Sequence, residues 1–176
     1  MILSLRYLQT ELISFIVIFM NGKFTISKFQ KDIIGYVFCH PEILRHARTR
    51  RQYYQGKRNK QEDDTMGPIA TLGDAVLDLI IINRLYKGGE RNEGQLSREK
   101  EKEVKKKKTC ALAKRLHYEK YVRWGKGEKK DRIWVPNVDT FDTCIEALIG
   151  VVFLDAQKSN KNGLKCAEEM LVRLHF

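Results

Sequence analysis

The sequence lacks most of the marks of a secreted or metal-clustered small protein. Its four cysteines, Cys39, Cys110, Cys144 and Cys166, stand too far apart for a C-x-x-C motif. They suggest no disulfide framework, so a reduced, intracellular and cytoplasmic setting is expected. No stretch of Val, Ile and Thr alternates cleanly with polar residues, so no good strand is expected. No uninterrupted apolar run reaches the roughly 20 residues of a membrane span. The best attempt, Leu12 to Met20, is short, and Arg6 and Glu11 interrupt what precedes it. No small residues mark a cleavage site after it. His40, His46, His117 and His175 have no metal-ligand spacing, and no internal repeat is evident.

The chain does have charge. A formal +11 on 176 residues points to a polyanionic partner such as nucleic acid. With 43% hydrophobic residues there is enough for one compact domain with a real core. An apolar N-terminal extension is expected over 1–27, packed as a helix or strand, and a domain over 28–176. The pattern predicts helices over 28–38, from Pro41 onward, over 69–86, 95–116, 139–155 and 163–175. Leu44 and Ala47 are expected inward. The segment 69–86, with Leu72, Val76, Leu79, Ile80 and Ile82, leaves almost no polar face and is expected at the centre. Cys110 and Cys144 read as small buried hydrophobes. Residues 55–66 and 125–137 read as polar loops.

Two acids break the apolar pattern. Asp74 lies in "ATLGDAVLDLIIINRLY" and Glu146 in "TCIEALIGVVFLD". A carboxylate among apolar neighbours is costly unless it is paired, hydrogen-bonded or metal-bound. Two such acids, distant in sequence, are expected to converge on a hard cation.

"TLGDAVLDLII", "NEGQLSREKEKEV", "CALAKRL", "YVRWGKGEKK" and "IEALIGVVFLD" occur in that order, preceded by "HPEILRHARTRRQYY". Together they resemble the catalytic domain of the ribonuclease III family over roughly residues 35–175. No separate double-stranded-RNA-binding domain is recognised beside it. The resemblance implies an all-α fold acting as a helical homodimer. It implies cleavage of double-stranded or hairpin RNA with Mg²⁺, Mn²⁺ being the alternative ion. The products would carry 5′-phosphate and 3′-hydroxyl ends with a short 3′ overhang. The family places a Glu four residues before the "GD" aspartate and an Asp three residues before the glutamate of "EALIG". Here those positions are Ala70 and Thr143. Asp74 and Glu146 remain, as expected catalytic and metal-binding residues. The Mini-III branch is similar at both departures, whereas "NEGQLSR" and "GKGE" resemble the standard enzyme.

Further candidates surround this pair. Asp142, four residues before Glu146, is a candidate metal ligand on the same helix face, or a solvated acid in a first turn. Glu93 matches a family acid near the site, as a metal ligand or a helix-capping residue. Asp78, one turn after Asp74, supports it or bonds across a dimer. Arg45, Arg48 and Arg51, Lys105 and Lys106, and Lys126 and Lys129 are the expected RNA contacts, since duplex RNA is read largely through phosphate and shape. Tyr53, Tyr54 and Trp124 either stack on bases or belong to the core. The alternative to an enzyme is a catalytically inactive RNA-binding or partner protein. It is favoured if either acid points into a dry core.

Overall fold

The structure, a computed structural model, describes residues 29–55, 65–128 and 138–176. The chain divides into two units, Met1–Val37 and Phe38–Phe176. The extension expected over 1–27 lies outside the described residues. So do 56–64, most of the first expected loop, and 129–137 in the second. In the first unit a turn of π-helix spans Phe29–Ile34, with the Tyr36 amide bonded to Gln30 O. The helix expected over 28–38 is therefore cut short. Gly35, at φ +67°, adopts the left-handed conformation that ends it.

The second unit is all-α, as expected. Its helices are α1 Pro41–Ala47, α2 Met66–Lys87, α3 Glu93–Glu103, α4 Lys106–Arg115, α5 Val138–Lys158 and α6 Gly163–Arg173. Short 3-10 turns lie at Arg51–Tyr54, Tyr118–Lys120 and Lys126–Glu128. One isolated bridge joins Thr49 to Arg123, the only strand-like pairing among the described residues.

The central element is α5, not α2. It packs on α1, α2, α4 and α6. Ala147, Leu148, Ile149, Val151 and Val152 are fully buried along it. α2 lies against α5, approaching it at Ile69 and Gly73, and also buries Val76, Leu77, Ile80 and Ile81. The expectation of burial all round α2 fails on one flank. Leu79 is 52% exposed, Ile82 38% and Tyr86 51%. Positions three and four apart share a helix face, so these three form one apolar stripe. By length and apolarity alone α2 would cross a membrane, but here it is the main partner of the core helix.

The helix expected over 95–116 is two helices, broken at Val104–Lys105. Lys105 is extended (φ −55°, ψ 132°). The break lets the two segments face differently: α4 buries Thr109, Cys110, Leu112 and Ala113, whereas α3 buries nothing. The pattern from Pro41 onward is likewise interrupted at Arg48–Arg50, where the chain pairs with Arg123. Leu44 and Ala47 face inward, and Cys110 and Cys144 are buried, as expected.

Local caps set α3 and α6: Asn92 accepts from the Gln95 amide and Asn162 from the Lys165 amide. α1 has no cap of its own. Fully buried Asp155, on α5, accepts from the amides of Cys39 (3.0 Å) and His40 (2.7 Å) just ahead of it. Asp155→Ala would leave both amides without that partner. The expected loss is about 2 kcal/mol, since a hydrogen bond to a charged group contributes about 1.5–3 kcal/mol. Thermal melting should fall by roughly 6 °C. A melt unchanged from wild type would remove this role.

Candidate active site

The site forms where α2 crosses α5. A Cβ on Gly73 would overlap the carbonyl oxygen of Glu146, and a Cβ on Gly150 would overlap that of Ile69. Only glycine permits backbones this close. The contact of Gly73 with Glu146 sets Asp74, the next residue of α2, beside Glu146 of α5. The Glu146 carboxylate feels the charge of Asp74.

Asp74 is exposed, contrary to the picture of an acid sunk among apolar neighbours, and Glu146 is partly buried. Neither points into a dry core. Burial pushes the Glu146 carboxyl up to about 7, with Asp142 and Asp74 adding to the shift and Lys106 opposing it. Asp74 is also raised, first by burial and then by Asp78 and Asp142. The site is thus short of positive charge.

Asp142 joins this pair. It is not a solvated first-turn acid: it is only 5% exposed and accepts from Thr109 Oγ1 at 2.5 Å. Its charge acts on both Asp74 and Glu146. Ala70 is buried on α2 and offers no carboxylate, and the Thr143 hydroxyl donates to Asp139 O at 2.8 Å. Glu93 is exposed in the first turn of α3. The charges acting on Asp74 and Glu146 come instead from Asp78, Asp142, Lys100 and Lys106. The helix cap at α3 is Asn92 rather than Glu93.

Two lysines bracket the acids. Lys100 Nζ lies 2.7 Å from Asp78 Oδ2, and Lys106 Nζ lies 2.9 Å from Asp139 Oδ1 and 4.0 Å from Asp142 Oδ2. Lys106 was expected at RNA, and the fold sets it at the acids. Lys100 was not singled out at all, because nothing in "LSREKEKE" marks one lysine from the next.

The donor set suits a hard divalent ion. No three His, Cys, Asp or Glu side chains among the described residues converge tightly enough to enclose an ion directly. Mg²⁺ does not require that: it keeps several waters and takes one or two carboxylates. Asp74 and Glu146, open on one side and short of positive charge, fit that requirement.

The arginine cluster divides. Arg45 and Arg51 are exposed. Arg48 is half-buried and its Nε donates to Tyr121 O at 2.7 Å. Arg50 pairs with Glu128 at 2.9 Å. Arg123 lies 4.1 Å above the Tyr53 ring and donates to its hydroxyl. Arg48, Arg50 and Arg123 therefore tie the fold around the Thr49 bridge. Tyr54 is buried in the core, whereas Trp124 is partly buried and its Nε1 donates to Glu119 O. Lys105 and Lys126 are exposed, and Lys129 lies outside the described residues.

A family model described as the Ribonuclease III domain matches residues 68–157. Ribonuclease 3 of Lactiplantibacillus plantarum is 30% identical over 129 residues, covering 71% of this chain and 54% of that protein. Ribonuclease 3 of Magnetococcus marinus is 38% identical over 104 residues, covering 58% of this chain and 39% of that protein. The chain spans about half the length of the curated relatives it matches. The nuclease domain of ribonuclease III from Campylobacter jejuni has the same fold. One structure gives a TM-score of 0.67 at 24% identity, over 86% of this chain and 94% of that one. A second, described for flexibility in a region involved in dimer formation, gives 0.66 at 23%, over 82% and 92%.

Proposed function

The chain belongs to the ribonuclease III family, and from that premise we propose that it is a metal-dependent endoribonuclease acting on double-stranded or hairpin RNA. The observation that carries this reading is the convergence of Asp74 and Glu146, both at family motif positions, on one open site short of positive charge. Residues 28–176 are taken as the catalytic domain and the cytoplasm as its setting, with no membrane.

Phosphodiester hydrolysis needs an aligned water and charge neutralisation. Asp74 and Glu146 would hold a divalent ion, Mg²⁺ or Mn²⁺, which would supply a water of lowered pKa and charge stabilisation of the leaving oxygen. Asp142, fixed by Thr109, keeps negative charge beside them. Arg45, Arg51, Lys105 and Lys126 bind phosphates along the duplex. Products bear 5′-phosphate and 3′-hydroxyl ends. A homodimer would cover the stripe of Leu79, Ile82 and Tyr86 and bring two such sites to opposite strands.

The test is incubation of the purified chain with a long RNA duplex, with Mg²⁺ or with EDTA, followed by end mapping. Discrete duplex products that need the metal support the reading. Binding without cutting supports the second reading, an inactive RNA-binding or partner protein. That reading rests on Ala70 and Thr143, which stand where two further acids would be.

The Glu146 shift gives a pH prediction. Its ordinary value of 4.5 rises to about 7 in the fold. The folded state therefore holds this proton where the unfolded chain has lost it. That contribution to metal-free stability is complete below about pH 4.5 and is lost as pH rises through about 7. Metal loading runs the opposite way, because the ion needs the carboxylate. Mg²⁺ should raise the melting temperature at about pH 8 and leave it nearly unmoved at about pH 5.5. Glu146→Gln should flatten that difference. An equal Mg²⁺ effect at both values would exclude Glu146 as a ligand.

A further inference from the structure

Cys39 and Lys161 are brought together by the end of α5, which pins both of their backbones. The Cys39 amide donates to Asp155 Oδ2 at 3.0 Å, and the Lys161 amide donates to the oxygen of the next residue, Ala156, at 2.8 Å. Asn160, left-handed at φ +54°, turns the chain between α5 and α6 just before Lys161. Lys161 Nζ then lies 3.7 Å from Cys39 Sγ, across 122 positions of sequence. Neither residue is among the groups whose charge acts on Asp74 or Glu146. Cys39 is exposed, whereas Cys110 and Cys144 are buried and Cys166 is partly buried. Burial pushes the Cys144 thiol up to about 12 and raises that of Cys166 as well. The thiolate is the form that reacts, so an oxidant in solution is met first by Cys39.

We propose that Cys39 and Lys161 are a redox-reactive pair: a peroxide oxidises the thiol, and the lysine amine then closes a reversible sulfur–nitrogen bond. In the first step Cys39 Sγ attacks one peroxide oxygen and the O–O bond breaks. The sulfur is oxidised by two electrons to a sulfenic acid, and the other oxygen leaves as water. In the second step Lys161 Nζ, having released one proton to solvent, attacks Sγ. The S–N bond forms, the S–O bond breaks, and the hydroxyl leaves as water with a second proton from the nitrogen. Sulfenic acids condense with nitrogen in this way when one is held beside them. Lysine suits the closing step, because its amine sits at the end of a flexible four-carbon stem. A small thiol reverses the step by attacking Sγ and returning the amine. The bond staples the chain ahead of α1 to the turn between α5 and α6, a junction held otherwise by the hydrogen bonds of Asp155.

The test is treatment of the full chain with hydrogen peroxide, capping of the remaining thiols with N-ethylmaleimide, and mass mapping of a non-reducing digest. The wild type should yield a peptide pair joined through Cys39 and Lys161, lighter by two hydrogens than its separate parts. Dithiothreitol should release it. The oxidised protein should melt roughly 5 °C higher than the reduced one, since a crosslink across a long loop restricts the unfolded chain. Lys161→Arg keeps the charge and removes the amine. It should give no crosslink and leave Cys39 as a sulfenic acid that dimedone captures. Cys39→Ser should give neither product. Both side chains are exposed, so neither substitution should disturb the fold. Wild-type Cys39 recovered as a thiol, as a sulfenic acid or in a disulfide with Cys166 would overturn the proposal. A crosslink retained in Lys161→Arg would overturn it as well, and a joined protein melting like the reduced one would remove the staple.

Discussion

Asp74→Asn and Glu146→Gln should each lower cleavage of an RNA duplex by roughly three powers of ten while leaving RNA binding nearly unchanged. A catalytic metal supplies several kcal/mol of transition-state stabilisation, and each 1.36 kcal/mol is a factor of ten. Each substitution keeps the shape of the side chain and removes the charge that would hold the ion. Neither should unfold the protein. Asp74 is exposed, and both carboxylates are held against burial and against the negative charge of neighbouring acids, Asp142 for both, with Asp78 on Asp74 and Asp74 on Glu146. Relieving that repulsion should hold the metal-free melting temperature at or above the wild-type value, since active sites commonly give up stability for function. Loss of cleavage with an unchanged or higher melt identifies the acids as the reacting centre. Variants that cut as well as wild type would place the chemistry elsewhere.

Gly73→Ala should destabilise the domain by more than about 3 kcal/mol, at the upper end of what overpacking costs. The added methyl would meet the Glu146 backbone and the Gly150 amide, and neither can step aside as a flexible side chain would. α2 and α5 must separate, although they form the largest helix contact in the unit. At roughly 3 °C per kcal/mol for a domain of this size, melting should fall by about 10 °C. Gly67→Ala is the internal control. Nothing lies within 4 Å of a Cβ there, so it should be neutral or mildly stabilising through helix propensity. A Gly73→Ala protein melting like wild type would mean that the helices do not cross this closely. The argument for Asp74 beside Glu146 would then fail with it.

The amino-acid pattern carried the helices at 66–87 and 138–158, because apolar periodicity is strong there and few breakers intervene. It marked Asp74 and Glu146 as candidates because a carboxylate in an apolar run stands out, although Asp74 lies exposed on α2. It did not carry the break at Val104–Lys105. No glycine or proline marks that point, and the basic run reads smoothly through it. What divides the segment is burial of Cys110, Leu112 and Ala113 against α5, a long-range cause. Arg48 and Arg50 illustrate a second limit. A guanidinium held by Tyr121 O or Glu128 has the same letter as one facing solvent. Asp142 was ambiguous for a similar reason, since its burial depends on Thr109, thirty-three positions away on another helix. The exposed Leu79, Ile82 and Tyr86 show a third. Hydrophobicity alone does not distinguish a face covered by the same chain from one left open on it.

Asp155 also sets an order of events during synthesis. It lies 115 residues after His40, whose amide it accepts. At 5–20 residues per second, α1 leaves the ribosome about 6 to 23 seconds before the carboxylate that holds its N-terminus exists. A helix of seven residues is far below the length that holds in water unaided. α1 therefore winds and unwinds through that interval and becomes fixed only when α5 arrives. The first helix of the domain to be made is among the last to be secured.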